Sequence, residues 1–311
     1  MLVTVNWTES AAGMSGFQPS SYEEVFAMRI QRWVALVVVV GGMFGVAGSL
    51  AAQEKGLVFA HRGGAYEFEE NTLAAFRSSY QKGLRGFETD IRMTKDGELV
   101  ILHDETLDRT HNATGAVEQK TAAELRKVVT KKSGQPMLFL KDLLAYFADK
   151  PAIYLELEMK TSNKAQYPED RLNEYCRKLY AAARQKPQGS FYVLTSFDER
   201  PLKVVKALDP NADLLLISGD PCSEKVVARA QTLGVKRIGC TMDGTSRAAV
   251  REAQKAGLRV TGWPGHSLQD YYLAVGLGVD AFCTDIPVAI STWKAQHEQR
   301  APVPAAPTAK P

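Results

Sequence analysis

The chain has 311 residues, of which 45% are apolar and 23% charged, an ordinary globular composition with enough apolar surface to bury a large core. Its 38 basic and 35 acidic residues leave a formal charge of +3. No Lys/Arg block stands out, which argues against a nucleic-acid or other polyanion partner. The cysteines Cys176, Cys222, Cys240 and Cys283 have no CxxC spacing, which argues against a zinc cluster and leaves three complete disulfide pairings open.

In chain order, the first signal is a short basic start, Met28 to Arg32, followed by an uncharged run over 33–53 that is rich in Val, Gly and Ala. Small residues at Ser49, Ala51 and Ala52 offer a cleavage point, so 28–52 reads as a signal peptide and 1–27 as a non-native or mis-called extension. The rival is an uncleaved membrane anchor, because the run approaches the ~20 residues that span a bilayer. A short apolar centre interrupted by glycines favours cleavage. Both readings place the following domain outside the inner membrane, periplasmic, secreted or anchored there.

From Leu57 short β-like runs alternate with amphipathic segments. "LVFAH" leads into "NTLAAFRSSYQKG", where Leu73, Phe76 and Tyr80 fall at helical spacing and Asn71 or Thr72 can cap the start. "GFETDIRM", "AIYLELEM", "SFYVLTSF", "ADLLLIS", "RIGCTM", "LRVTGW" and "DAFCTD" follow, with "ELVILHD" as an extra strand-like piece after the second. Repeated β-then-α units imply a parallel sheet with helices outside, and eight of them point to a (β/α)8 TIM barrel over 53–298. An open doubly wound sheet is the alternative, disfavoured because no GxGxxG fingerprint opens the first helix. The stretch from about 104 to 140 is too long for a simple barrel connection and reads as a small inserted subdomain near the barrel mouth. The last segment, 299–311, is proline-rich with few large apolar residues and is expected to stay disordered.

Unusual polar residues fall where strands end, which is where barrels carry chemistry. His61 closes the first run, Glu88 and Asp90 share one face of the second, His103 and Asp104 end the extra piece, Glu156, Glu158 and Lys160 alternate along the third, and Asp285 follows the last. Glu88, Asp90 and Glu158 form an oxygen-rich set suited to one divalent cation, Ca2+ or Mg2+. His61 and His103 suggest an acid–base pair, and Arg62 a fork for phosphate. Lys160 reads as a phosphate neutraliser, or more weakly as a Schiff-base lysine. Singly, each residue has an ordinary structural reading; together, on one side of one barrel, they read as a site.

The ordered set "AHRGG" (60–64), "EENTLAAF" (69–76), "FETDIRMTKDG" (87–97), "HDETLDRT" (103–110), "ELEMK" (156–160), Ser196-Phe197, Trp263 and "GVDAFCTDIP" (278–287) resembles the glycerophosphodiester phosphodiesterase family. The resemblance implies a barrel enzyme that hydrolyses small glycerophosphodiesters to an alcohol and sn-glycerol 3-phosphate. It implies that His61 and His103 are catalytic, that Glu88, Asp90 and Glu158 hold the metal, and that Arg62, Lys160, Phe197 and Trp263 bind phosphate and substrate. His266 stands where the family usually has Asn, and Glu156 where it often has a neutral polar residue. Alternatives are a phospholipase D-like enzyme acting on lysophospholipids and an exported, non-catalytic binding protein for phosphorylated metabolites. A metal-assisted aldolase is a weaker one that rests on Lys160. The oligomeric state is left open.

Overall fold

Runs rich in β-branched and aromatic residues become eight parallel strands: β1 (Leu57–Ala60), β2 (Gly86–Met93), β4 (Tyr154–Met159), β5 (Phe191–Ser196), β6 (Leu214–Pro221), β7 (Arg237–Thr241), β8 (Arg259–Trp263) and β9 (Ala281–Thr284). This computed structural model describes residues 56–298. The 1–27 extension, the signal or anchor at 28–52 and the 299–311 tail lie outside the described residues. Among the described residues no helix is long and apolar enough to cross a membrane.

The sheet closes because β1 pairs with both β9 and β2, so consecutive parallel strands run round a complete barrel. The extra piece is β3 (Leu99–Ile101), which lies antiparallel on the end of β2, outside the ring. Helices α1 (Leu73–Gln81), α3 (Leu140–Phe147), α4 (Glu169–Ala183), α5 (Glu199–Leu208), α6 (Glu224–Leu233), α7 (Arg247–Lys255), α8 (Leu268–Leu277) and α9 (Pro287–Glu298) connect or flank the strands. Of the two caps open to α1, Thr72 is the one used: its side chain accepts the Ala75 amide. His297 lies on α9 with its ring stacked on Trp293.

The pleat decides what faces where. On β4, Leu155, Leu157 and Met159 pack outward in the layer between strands and helices. Tyr154 points inward to join Phe59, Val193, Leu215, Ala281 and Cys283 in the barrel interior. The same alternation turns four carboxylates inward as lateral neighbours, Glu88 opposite Glu156 and Asp90 opposite Glu158.

Between β3 and α3 the chain makes a 3-10 turn (Val117–Gln119) and a one-turn helix, α2 (Ala122–Leu125), closed by a Thr121/Glu124 capping box. Val100, Leu102, Leu107, Val117, Leu125 and Phe139 form a separate small core here. Arg92, 4% exposed at the end of β2, ties it to the barrel. Its guanidinium donates to Glu118 (3.0 Å), to the Leu102 carbonyl (3.2 Å) and to the His103 carbonyl (2.9 Å). Tyr167 Oη also donates to Glu118 while accepting the Met93 amide. A buried ion pair persists when hydrogen bonds replace its lost hydration, and here they also fix the main chain that carries His103.

Candidate active site

At the carboxyl end of β1 the chain turns sharply. Arg62 sits in the left-handed region at φ 51°, a conformation costing a non-glycine residue roughly 1–2 kcal/mol. The return is that its amide donates to Glu88 Oε2 at 3.0 Å. Gly63 follows at φ 82°, where an added Cβ would lie 3.0 Å from that of Ala75, so the "RGG" turn needs glycine on both counts.

Glu88, Asp90 and Glu158 are buried, and one oxygen of each lies within 4.8 Å of the others. Asp90 Oδ2 accepts from Asn71 Nδ2 (2.8 Å), and Asn71 Oδ1 accepts in turn from Thr89 (2.9 Å). Lys160 donates to Glu158 at 2.8 Å and stands 3.5 Å from Asp90; Arg62 Nε is also 3.5 Å from Asp90. Burial pushes the Glu88 carboxyl well above the usual range, and repulsion from Asp90 and Glu158 adds to it. Burial acts on Asp90 in the same sense, but Lys160, His103, Arg62 and His61 outweigh it and hold Asp90 below the usual range. Glu88 Oε1 and Asp90 Oδ1 are buried and have no hydrogen-bond partner among the described residues. Hard oxygen donors, mutual repulsion and two orphaned oxygens fit a divalent cation.

Burial lowers the Lys160 pKa, yet Glu158 and Asp90 raise it further, and the net shift is upward. The ammonium is thus held charged, which suits anion binding and disfavours a Schiff-base amine.

Glu156 lies outside this cluster and accepts from Tyr154 Oη at 2.5 Å. Burial pushes its carboxyl up to about 7, against the pull of Tyr154 and Arg237. Because the folded value is raised, its stabilising contribution is complete below the unfolded value of 4.5 and is lost as pH rises toward 7. Metal-free protein is expected to lose about 3 kcal/mol to this group across that window. Glu156→Gln keeps the acceptor for Tyr154 without the charge, so its melting temperature should depend less on pH than that of the parent chain.

Both predicted histidines have a carboxylate on Nδ1: His61 with Asp285 Oδ1 at 2.6 Å, His103 with Asp104 Oδ1 at 2.8 Å. Burial raises the Asp104 pKa, but hydrogen bonds from Arg109 and His103 outweigh it and bring it to about 2. Asp285 is also lowered, with His61 and His266 outweighing burial. An ionised carboxylate only accepts, so each ring carries its proton on Nδ1 and keeps Nε2 for the site. Arg109 extends the second pair, gripping Asp104 (2.6 Å) and Glu70 (both at 2.7 Å), and Glu70 accepts from Arg62 (3.1 Å).

These side chains surround a cavity of about 310 Å3 at the strand ends. His61, Arg62, Glu88, His103, Glu158, Phe197 and Trp263 line it, above a floor that includes Leu215, Ile217 and Gly239. Phe197 meets Trp263 edge to face at 5.5 Å, and Trp263 Nε1 is a buried donor without a partner among the described residues. Asp90 and Lys160 stand behind this lining, in contact with Glu158 or Arg62. The predicted site residues therefore converge. Sequence reasoning noted Asp104 and Asp285 without giving them a partner, marked His266 only as a departure from the family's usual Asn, and missed Glu70 and Arg109. The "HD" dipeptide and the polar residue after the last strand were signals for the first two; Arg109 carried none, since only folding brings it to Glu70. All four cysteines are buried and free, so none of the three pairings is formed.

Two carboxylate-paired histidines facing a buried acidic cluster at the carboxyl end of a parallel barrel are the arrangement expected of a barrel hydrolase acting on anionic esters. The profile of the glycerophosphoryl diester phosphodiesterase family matches residues 61–289. The chain belongs to that family and is an enzyme of its class, a phosphoric diester hydrolase. It is 29% identical over 243 residues to a glycerophosphodiester phosphodiesterase of Caldanaerobacter subterraneus, covering 75% of this chain and 95% of that one. With a glycerophosphodiester phosphodiesterase of Bacillus altitudinis it shares 26% identity, over 74% of this chain and 94% of that one. The fold is also that of an Oleispira antarctica phosphodiesterase solved with sn-glycerol 3-phosphate (TM-score 0.68, 23% identity, 76% of this chain and 95% of that one).

Proposed function

We propose that the chain hydrolyses glycerophosphodiesters to an alcohol and sn-glycerol 3-phosphate, using one divalent cation, Ca2+ or Mg2+, and His61 and His103 as an acid–base pair. The observation that carries this is the placement of two carboxylate-paired histidines on one cavity with the acidic cluster. The product bound to the Oleispira antarctica protein supports the same reaction class. Glu88, Asp90 and Glu158 would hold the cation, which supplies charge neutralisation for the phosphate oxygens. Arg62 and Lys160 add fixed positive charge where negative charge grows in the transition state. His61 takes the proton of the attacking oxygen and His103 protonates the departing alcohol. The attacker is the substrate's own 2-hydroxyl, giving a cyclic phosphate that water then opens with the two roles exchanged. Phe197 and Trp263 offer an apolar wall with one N–H donor for the glycerol end. The 28–52 segment supports placing this activity outside the inner membrane.

The test is release of sn-glycerol 3-phosphate from glycerophosphocholine and glycerophosphoethanolamine, with EDTA and then with Ca2+ or Mg2+ restored. Release that EDTA abolishes and a cation restores is the expected result. No release with any cation would overturn the reading and shift weight to lysophospholipids or to a binding protein.

A further inference from the structure

We infer that His266 is a positioning residue for the hydrolytic step, clamping Asp285 so that this carboxylate holds His61 in its Nδ1–H form. The inference rests on the acid–base role proposed for His61. Asp285 is 2% exposed, and each of its oxygens has its own imidazole partner: Oδ1 takes His61 Nδ1 at 2.6 Å and Oδ2 takes His266 Nδ1 at 2.6 Å. Both rings line the cavity. With both Nδ1 atoms committed to the carboxylate, it is the two Nε2 atoms that remain for other partners.

His266 is held from three sides although its side chain is 44% exposed. Its amide donates to Asp270 Oδ2 (2.9 Å) in the first turn of α8, and its ring stacks on Tyr66 with centroids 5.2 Å apart. The preceding Gly265 is pinned to β9: its carbonyl accepts from Thr284 Oγ1 and from the Asp285 amide, both at 2.8 Å. A Cβ on Gly265 would lie 2.2 Å from Phe282 Cζ, so this approach needs glycine. The Tyr66 amide donates to the Asp285 carbonyl at 3.1 Å, which joins the segments after β1, β8 and β9 around one carboxylate. A ring this constrained has little entropy left to lose when it serves Asp285. Without it, a buried carboxylate oxygen loses its donor, the group is free to turn, and His61 loses the partner that selects its tautomer. The second dyad repeats the construction with a guanidinium, since Arg109 grips Asp104 behind His103.

The experiment compares the full-length parent chain with His266→Phe, which keeps the stack on Tyr66 without a donor, His266→Ala, and His266→Asn, whose amide can donate to Asp285. Steady-state kinetics should show kcat lowered about tenfold by Phe and Ala with KM unchanged, and largely recovered by Asn. Spectra of 15N-histidine-labelled protein should show His61 as the Nδ1–H tautomer in the parent and in the Asn variant, and as a mixture in the Phe variant. An unchanged kcat in both Phe and Ala variants would overturn the clamp. So would a raised KM at constant kcat, which marks direct substrate contact, or a His61 tautomer indifferent to residue 266. If the parent itself releases no sn-glycerol 3-phosphate, the acid–base reading fails, while the tautomer spectra still decide the clamp.

Discussion

Alanine at His61 or His103 is expected to lower kcat by about a thousandfold, within the range for loss of a general acid or base. KM and cation binding should stay near the parent values. The physical reason is the division of labour at the mouth: each ring spends Nδ1 on Asp285 or Asp104, so its contribution is made through Nε2 during proton transfer. In the proposed scheme substrate charge is met by other groups, Arg62 and Lys160. If both histidines serve one reaction cycle as proposed, the double variant should be little worse than either single one. Single-turnover kinetics with each variant, beside a titration of the cation, separate these effects. A His103→Ala enzyme with parental kcat would sink the scheme.

The second large effect lies in the acidic cluster, where two substitutions should differ sharply in their effect on stability. Burial and the neighbouring Asp90 and Glu158 disfavour the charged form of Glu88, so Glu88→Gln removes an unfavourable charge and should be neutral or stabilising in EDTA. Asp90 is the favoured anion, in contact with Arg62, Lys160 and Asn71. Asp90→Ala leaves those donors uncompensated and should cost about 3 kcal/mol. Both should abolish turnover and, with it, the stabilisation expected of a cation bound at this cluster in the parent, about 2.7 kcal/mol at a hundredfold excess over Kd, read as a rise in melting temperature. Thermal melts of the three proteins with and without each cation check this. A parent chain whose melt and activity ignore both cations and EDTA would remove the metal from the proposal.

Much of this arrangement was legible in the linear chain because it depends on local periodicity. A strand repeats every two residues, so "FETD" and "ELEMK" already placed Glu88 with Asp90, and Glu156 with Glu158, on common faces. Helical spacing separated the strands and implied the barrel. Glu156 shows where this stopped: the pattern put it on the same face as Glu158, yet it lies one step deeper, bonded to Tyr154 and apart from the cluster. Facing is local, whereas depth within a barrel follows from the stagger of neighbouring strands.

The partners of the histidines mark the same boundary. Asp104 was visible as the neighbour of His103, but His61 and Asp285 are 224 positions apart, and Glu70 meets Arg109 across 39. The sequence by itself determined the strand faces, the strand-end chemistry and the family's ordered motifs, because residue spacing and side-chain type are properties of the chain alone. Closure of the barrel, with β1 meeting β9, brought Asp285 to His61 and His266 into the site. Hydrogen bonds reach only about 3 Å, and such proximity between distant segments exists only once the sheet has closed.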